Sequence, residues 1–167
     1  MSFPKYCADG MITGADWDQL VYAVLDRAAA FFSVPNPDSN IGTFDAVQML
    51  DGVDTLVEMK VPLASGFDLA TWNVEALIVA GGTGDMRRSV AASCHAPGEL
   101  YNTHTGTIVA GEVAMVISID TQVSVLGALT GGSAGDIVGV DFTRHGGHVN
   151  DTVGAACWFL GILIRRP

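Results

Sequence analysis

The side chains able to do chemistry fall into a few constellations, each testable by spacing. Four histidines stand at 95, 104, 145 and 148. His95 and His104 are nine residues apart with Glu99 between them, while His145 and His148 are three apart in a glycine-rich segment. A metal centre on a β-frame asks for a His-X-His pair, an acid a few residues on and a further histidine on a later strand. HAPGELYNTH (95–104) lacks that pair, and HGGH (145–148) reads as a loop tip, so no metal and no cofactor are expected. A cluster of His145 or His148 around an oligomer axis is the smaller alternative. LIVAGGTGDMRR (77–88) begins like a dinucleotide fingerprint, but the third glycine of G-x-G-x-x-G would fall where Arg87 stands. A hairpin turn explains Gly81, Gly82 and Gly84 more simply.

Ser93, Cys94 and His95 are adjacent, yet neighbours on a strand point to opposite faces, so Cys94 and His95 cannot form a dyad there. The sequence holds no G-x-S-x-G elbow. The acid pairs Asp16/Asp18, Asp51/Asp54 and Asp136/Asp141 lie where carboxylates are ordinarily solvated or capping. Cys7, Cys94 and Cys157 are an odd set without ligand spacing, and the latter two lie in apolar strands, which predicts buried thiols. Arg144 and Asp151 bracket a polar segment and are expected to pair across the mouth of a turn as a surface ion pair, fixing a hairpin or bridging to another subunit. No catalytic set emerges, and the expectation is a protein that is not an enzyme.

The 167 residues suit one domain with a short appendage. Eighteen acidic against eight basic residues leave a net charge of −10, the reverse of what binds phosphate backbones, so nucleic acid is not an expected partner. No run approaches the roughly 18 apolar residues of a membrane span, and the N-terminus lacks a secretory signal's pattern. A soluble chain made in the cytoplasm is expected.

One helix is expected, capped by Thr13 and running from Ala15 to Phe32, with an apolar seam of Trp17, Val21, Val24, Ala28 and Phe31 widened by Leu20 and Leu25. It could extend an oligomer or lie on the body. After the break at 33–42 the period changes to two. Val57, Met59, Val61 and Leu63 alternate with Glu58 and Lys60. Eight strands are expected: Phe44–Leu50, Val57–Leu63, Trp72–Ala80, Arg88–Cys94, Val113–Ile119, Gln122–Leu129, Ile137–Arg144 and Val153–Arg165. Short strands with glycine turns and no intervening helix predict an all-β antiparallel jelly-roll sandwich preceded by one α-helix. The last two strands are expected to form a terminal hairpin. Strands 72–79, 113–119 and 153–165 carry more apolar surface than one face requires, which points to burial between subunits.

Two segments carry a resemblance. MITGADWDQL (11–20) is similar to the Thr-x-x-Asp-Trp-Asn-x-Leu opening of many tailed-phage fibre and virion proteins, with Asp18 where asparagine is commoner. Gly135 and Asp136, then Arg144, then Asn150, Asp151 and Thr152, then Trp158 and Gly161, resemble the terminal strands of small phage jelly-roll heads. That likeness implies a tumour-necrosis-factor-like homotrimer in a virion. It divides the chain into an attachment arm and helix at 1–33 and a jelly-roll domain at 43–167. The arm would grip the major capsid protein or other virion proteins through Trp17, Leu20, Val21 and Val24. The role implied is a capsid decoration (cement) protein or head fibre, or alternatively a short tail-fibre or baseplate subunit meeting a host-surface glycan, for which Tyr101 is the best-placed ring. A cupin-like metalloenzyme is the lesser alternative and rests on the histidines alone.

Overall fold

The computed structural model describes residues 29–34, 37–63, 67–68, 70–100, 102–129 and 131–165. Eleven strands lie among them: β1 (Ala29–Ser33), β2 (Ser39–Ile41), β3 (Phe44–Met49), β4 (Asp54–Pro62), β5 (Asn73–Ala80), β6 (Gly84–His95), β7 (His104–Thr105), β8 (Val109–Met115), β9 (Asp120–Ser124), β10 (Ile137–His145) and β11 (Cys157–Arg165). They form two antiparallel sheets. The first runs β2-β3-β11-β5-β9, with β1 also on β11; the second runs β4-β10-β6, where β6 pairs with both β7 and β8. Along the chain β3, β4, β5 and β6 alternate between sheets, β8 returns beside β6, and β9, β10 and β11 alternate again. The facing quartets β3-β11-β5-β9 and β4-β10-β6-β8 are the strand order of a jelly roll.

Period-two patterning builds the core. Val57, Met59 and Val61 on β4, Val138, Val140 and Phe142 on β10, and Val74, Ala76 and Ile78 on β5 all point inward and are buried. Phe142 of the second sheet meets Phe159 of the first with ring centroids 5.3 Å apart and planes tilted by 54°, a geometry favourable to the ring quadrupoles. Phe67 and Trp72, 5.8 Å apart on the β4–β5 connection, close one end of the sandwich. Cys94 and Cys157 are both buried.

Several expectations are corrected. Residues 29–33, read as the end of the helix and its exit, form β1 and pair with Gly161–Arg165 of β11. Ladder hydrogen bonds to a central strand outweigh helix propensity there. The sheet therefore starts ahead of residue 43. The rest of that helix, with Trp17, Leu20, Val21 and Val24, falls at 1–28, outside the described residues. The terminal hairpin does not form either: β10 pairs with β4 and β6, while β11 lies between β5 and β1/β3 in the opposite sheet. A strand apolar on both faces is best satisfied in a central position, and the segment 146–156 crosses to it. The segment expected as a strand over Gln122–Leu129 ends at Ser124 and continues as one 3-10 turn, Leu126–Ala128. Part of the apolar surplus of β5 and β11 is used within the chain, while Leu77, Trp158 and Leu163 stay partly exposed. Their inner residues enter the core, and Val79 and Leu160 are buried on the outer face with Ala46.

Candidate functional site

One end of the sandwich gathers four connections: β3–β4 (50–53), β5–β6 (81–83), β8–β9 (116–119) and β10–β11 (146–156). Two groups of chemistry-bearing side chains meet at or near this end.

Arg144 takes the last inward position of β10, at the mouth of the core. Its Nε and Nη2 donate to the two carboxylate oxygens of Asp151 at 3.0 and 2.8 Å, and both side chains are 0% exposed. Its Nη1 donates to the carbonyls of Met49 and Ala155 at 2.9 and 2.8 Å, and Asp51 lies 3.5 Å from Nη2. Burial opposes the guanidinium charge, but the hydrogen bonds and charge of Asp151, aided by Asp51, hold its pKa above the ordinary value. Asp151 also accepts from the amide of Arg87. The two residues do pair, but as a desolvated node tying β3, β10, β6 and the β10–β11 connection together, not as a surface bridge across a hairpin.

The neighbouring residues of the terminal motif are bound into the same end. Thr152 donates its amide to the carbonyl of Asp85 at 2.7 Å, and its hydroxyl accepts from the Asp85 amide at 2.9 Å. Asn150 donates to Glu112, which also takes Arg87 at 2.9 Å. At the far end, Asp136 is buried and accepts from the amide of Ser133, closing the turn that opens β10. The glycines of 81–84 serve this joint, not a hairpin. A Cβ on Gly82 would sit 2.4 Å from the carbonyl oxygen of Val153, and one on Gly81 2.8 Å from that of Ala156.

A second group was missed by sequence reading. Ser89 on β6, His145 at the end of β10 and Asp54 at the start of β4 share the outer face of the second sheet. The Oγ of Ser89 lies 2.8 Å from Nε2 of His145, and Nδ1 of His145 lies 2.8 Å from Oδ2 of Asp54. His145 and Asp54 are direct cross-strand partners, and Ser89 pairs with Thr143 two residues earlier on β10. Polar residues at outward positions of three strands were the available signal, but joining them needs the register.

The remaining histidines are elsewhere. His104 pairs with Cys94 in the β6–β7 ladder, and its Nε2 is 3.6 Å from Glu99. His95 contacts the carbonyl of Ala96, and His148 Nδ1 accepts from the amide of Asn150. Among the described residues no three His, Cys, Asp or Glu side chains converge as a metal site. Tyr101 lies outside the described residues.

The same end carries exposed apolar residues. Leu50, Val53, Val116, Ile117, Ile119 and Val149 all stand in its loops at half exposure or more. Ile117 and Ser118 are fastened by a bridge to Ala80 and a hydrogen bond to its carbonyl, so they are held in place and not buried.

No protein-family model matches the chain, and no curated protein does. Solved structures overlap it weakly. TmCBM61 in complex with β-1,4-galactotriose gives a TM-score of 0.38 at 14% identity over 84% of this chain and 83% of that one. An arabinose-bound MgGH51 α-L-arabinofuranosidase gives 0.38 at 12% identity over 83% of this chain and 22% of that one. Infectious bursal disease virus, Gt strain, gives 0.39 at 10% identity over 84% of this chain and 33% of that one. The jelly-roll assignment rests on the strand order.

Proposed function

We propose that this chain is a virion structural protein of a tailed phage, a jelly-roll subunit that assembles as a homotrimer and decorates the capsid surface. The observation that carries the reading is the loop end just described. Six large aliphatic side chains face solvent at one end of a sandwich whose own core is already closed. Apolar surface gathered in this way marks a protein-binding face, whereas isolated exposed side chains do not. The terminal motif supports the same reading. Its residues act as fasteners: Arg144 and Asp151 lock the β10–β11 connection, Thr152 ties it to β6, and Gly161 lies at the register shift of β11. Fastening of this kind would suit a durable particle component. The expectation that the protein is not an enzyme belongs to this proposal too, as regards turnover. The test is the native mass in solution by light scattering. A particle of about 52 kDa, three times 17.4 kDa, is expected, and a monodisperse monomer overturns the assembly.

A further inference from the structure

The arrangement of Ser89, His145 and Asp54 goes beyond an assembly role. We propose that Ser89 is an activated nucleophile that accepts an acyl or phosphonyl group from small activated esters, with His145 as its base and Asp54 as the residue that positions the imidazole. A carboxylate can only accept hydrogen bonds, so the 2.8 Å contact to Asp54 places the imidazole proton on Nδ1. In the neutral imidazole Nε2 is then the lone-pair nitrogen, and the 2.8 Å contact to Ser89 is a hydroxyl donating to a base. The three groups stand on three adjacent strands, β4, β10 and β6, so ladder hydrogen bonds hold the alignment without a loop.

Access is open. Ser89 and the residues around it on that face, Ala91, Ala110 and Thr143, are small and half-buried or exposed. Arg87, two residues before Ser89 on the same strand, brings a cation to this face while one of its nitrogens holds Glu112 at 2.9 Å.

In the step proposed, the Oγ lone pair bonds to the carbonyl carbon or phosphorus. The hydroxyl proton passes to Nε2 of His145. The bond to the leaving group breaks with its electron pair, and the leaving group takes the proton from Nε2. At Ser89 strand β6 is flanked on both sides, by Thr143 and by Ala110, so its amides belong to the ladder and supply no oxyanion hole. The expected outcome is therefore a single acylation per chain and not rapid turnover.

The test uses the full chain with a fluorophosphonate and with p-nitrophenyl acetate, read by intact mass and peptide mapping. One adduct per chain at Ser89 is expected, with none at Ser93, which lies on the same strand face without an imidazole partner. S89A should abolish it. H145Q, which can still hydrogen bond but cannot take the proton, should slow labelling by roughly 100-fold. D54N should slow it roughly 10-fold while D54E retains it, a distinction that a purely structural carboxylate would not produce. Absence of an adduct, labelling spread over several serines, or a rate indifferent to H145Q overturns the proposal.

Discussion

Arg144 gives up its hydration to sit at the mouth of the core, and the fold recovers that cost through four hydrogen bonds with defined partners. A buried ion pair adds little net stability against an apolar replacement, but losing one partner leaves an uncompensated buried charge. Asp151→Asn keeps the shape and removes the charge, and urea denaturation should show a loss of about 3 kcal/mol. That is the low end of the usual range for such a break, because Asp51 remains 3.5 Å away to share the guanidinium. Cys157 sits beside the same node. Burial pushes its thiol up to about 11 from 9.0, with Arg144 pulling it partly back and Asp151 and Asp51 adding to the rise. The sign follows from proton counting. Between pH 9 and 11 the unfolded thiol ionises while the folded one keeps its proton, so the native state binds more protons and stability falls as pH rises. Two units correspond to about 3 kcal/mol. Denaturation midpoints between pH 8 and 11 should therefore drop more steeply in the native sequence than in Cys157→Ala.

At the scale of elements, alternation located the strands but not their partners. Val57, Met59 and Val61 face the core as the period of two requires, and all eight expected strands have a counterpart. Pairing was less legible because an inter-sheet crossing and a hairpin leave the same trace: apolar alternation, a glycine-rich break, then alternation again. β11 hides a further detail. Its pairing with β5 shifts register between Phe159 and Gly161, so Cys157 and Phe159 face inward before the shift and Ile162 and Ile164 after it. A bulge of this kind reverses the phase that simple counting would assign. The Ser89 group was hidden for a related reason. Its members are separated by 56 and 91 residues, and only the three-strand register brings them together. The glycines of 81–84 give this scale its prediction. A methyl on Gly82 meets the Val153 carbonyl oxygen at 2.4 Å, where neither backbone can yield. Gly82→Ala should lower stability by about 2–3 kcal/mol by overpacking. Gly111→Ala, on β8 with nothing within 4 Å of the added carbon, should stay within about 0.5 kcal/mol. Paired thermal melts separate a joint from an ordinary strand position.

For the whole molecule, the two ends of the sandwich are not alike, and the proposed assembly would use the richer one. The end closed by Phe67 and Trp72 exposes Phe44, Leu100, Ile108 and Ile137 on separate elements, whereas the opposite end presents Leu50, Val53, Val116, Ile117, Ile119 and Val149 in its connections. Asp51, Asp85 and Asp120 are exposed around the richer end, so an assembly there must bury the aliphatic groups while leaving these acids at a wet rim. A new carboxylate inside the apolar set would have to be desolvated beside like charges, and association should not survive it. Val116→Asp combined with Ile117→Asp should reduce the native mass from about 52 kDa to the 17.4 kDa of a single chain. Both positions are about half exposed in the isolated subunit, so the fold itself should change by little more than about 0.5 kcal/mol per site. Leu100→Asp combined with Ile108→Asp at the other end adds the same two charges at exposed positions and should leave the mass unchanged. Light scattering on the three proteins separates a loop-end interface from general charge repulsion in a chain of net charge −10. Equal loss of mass in both variants would remove the loop end as the site of assembly.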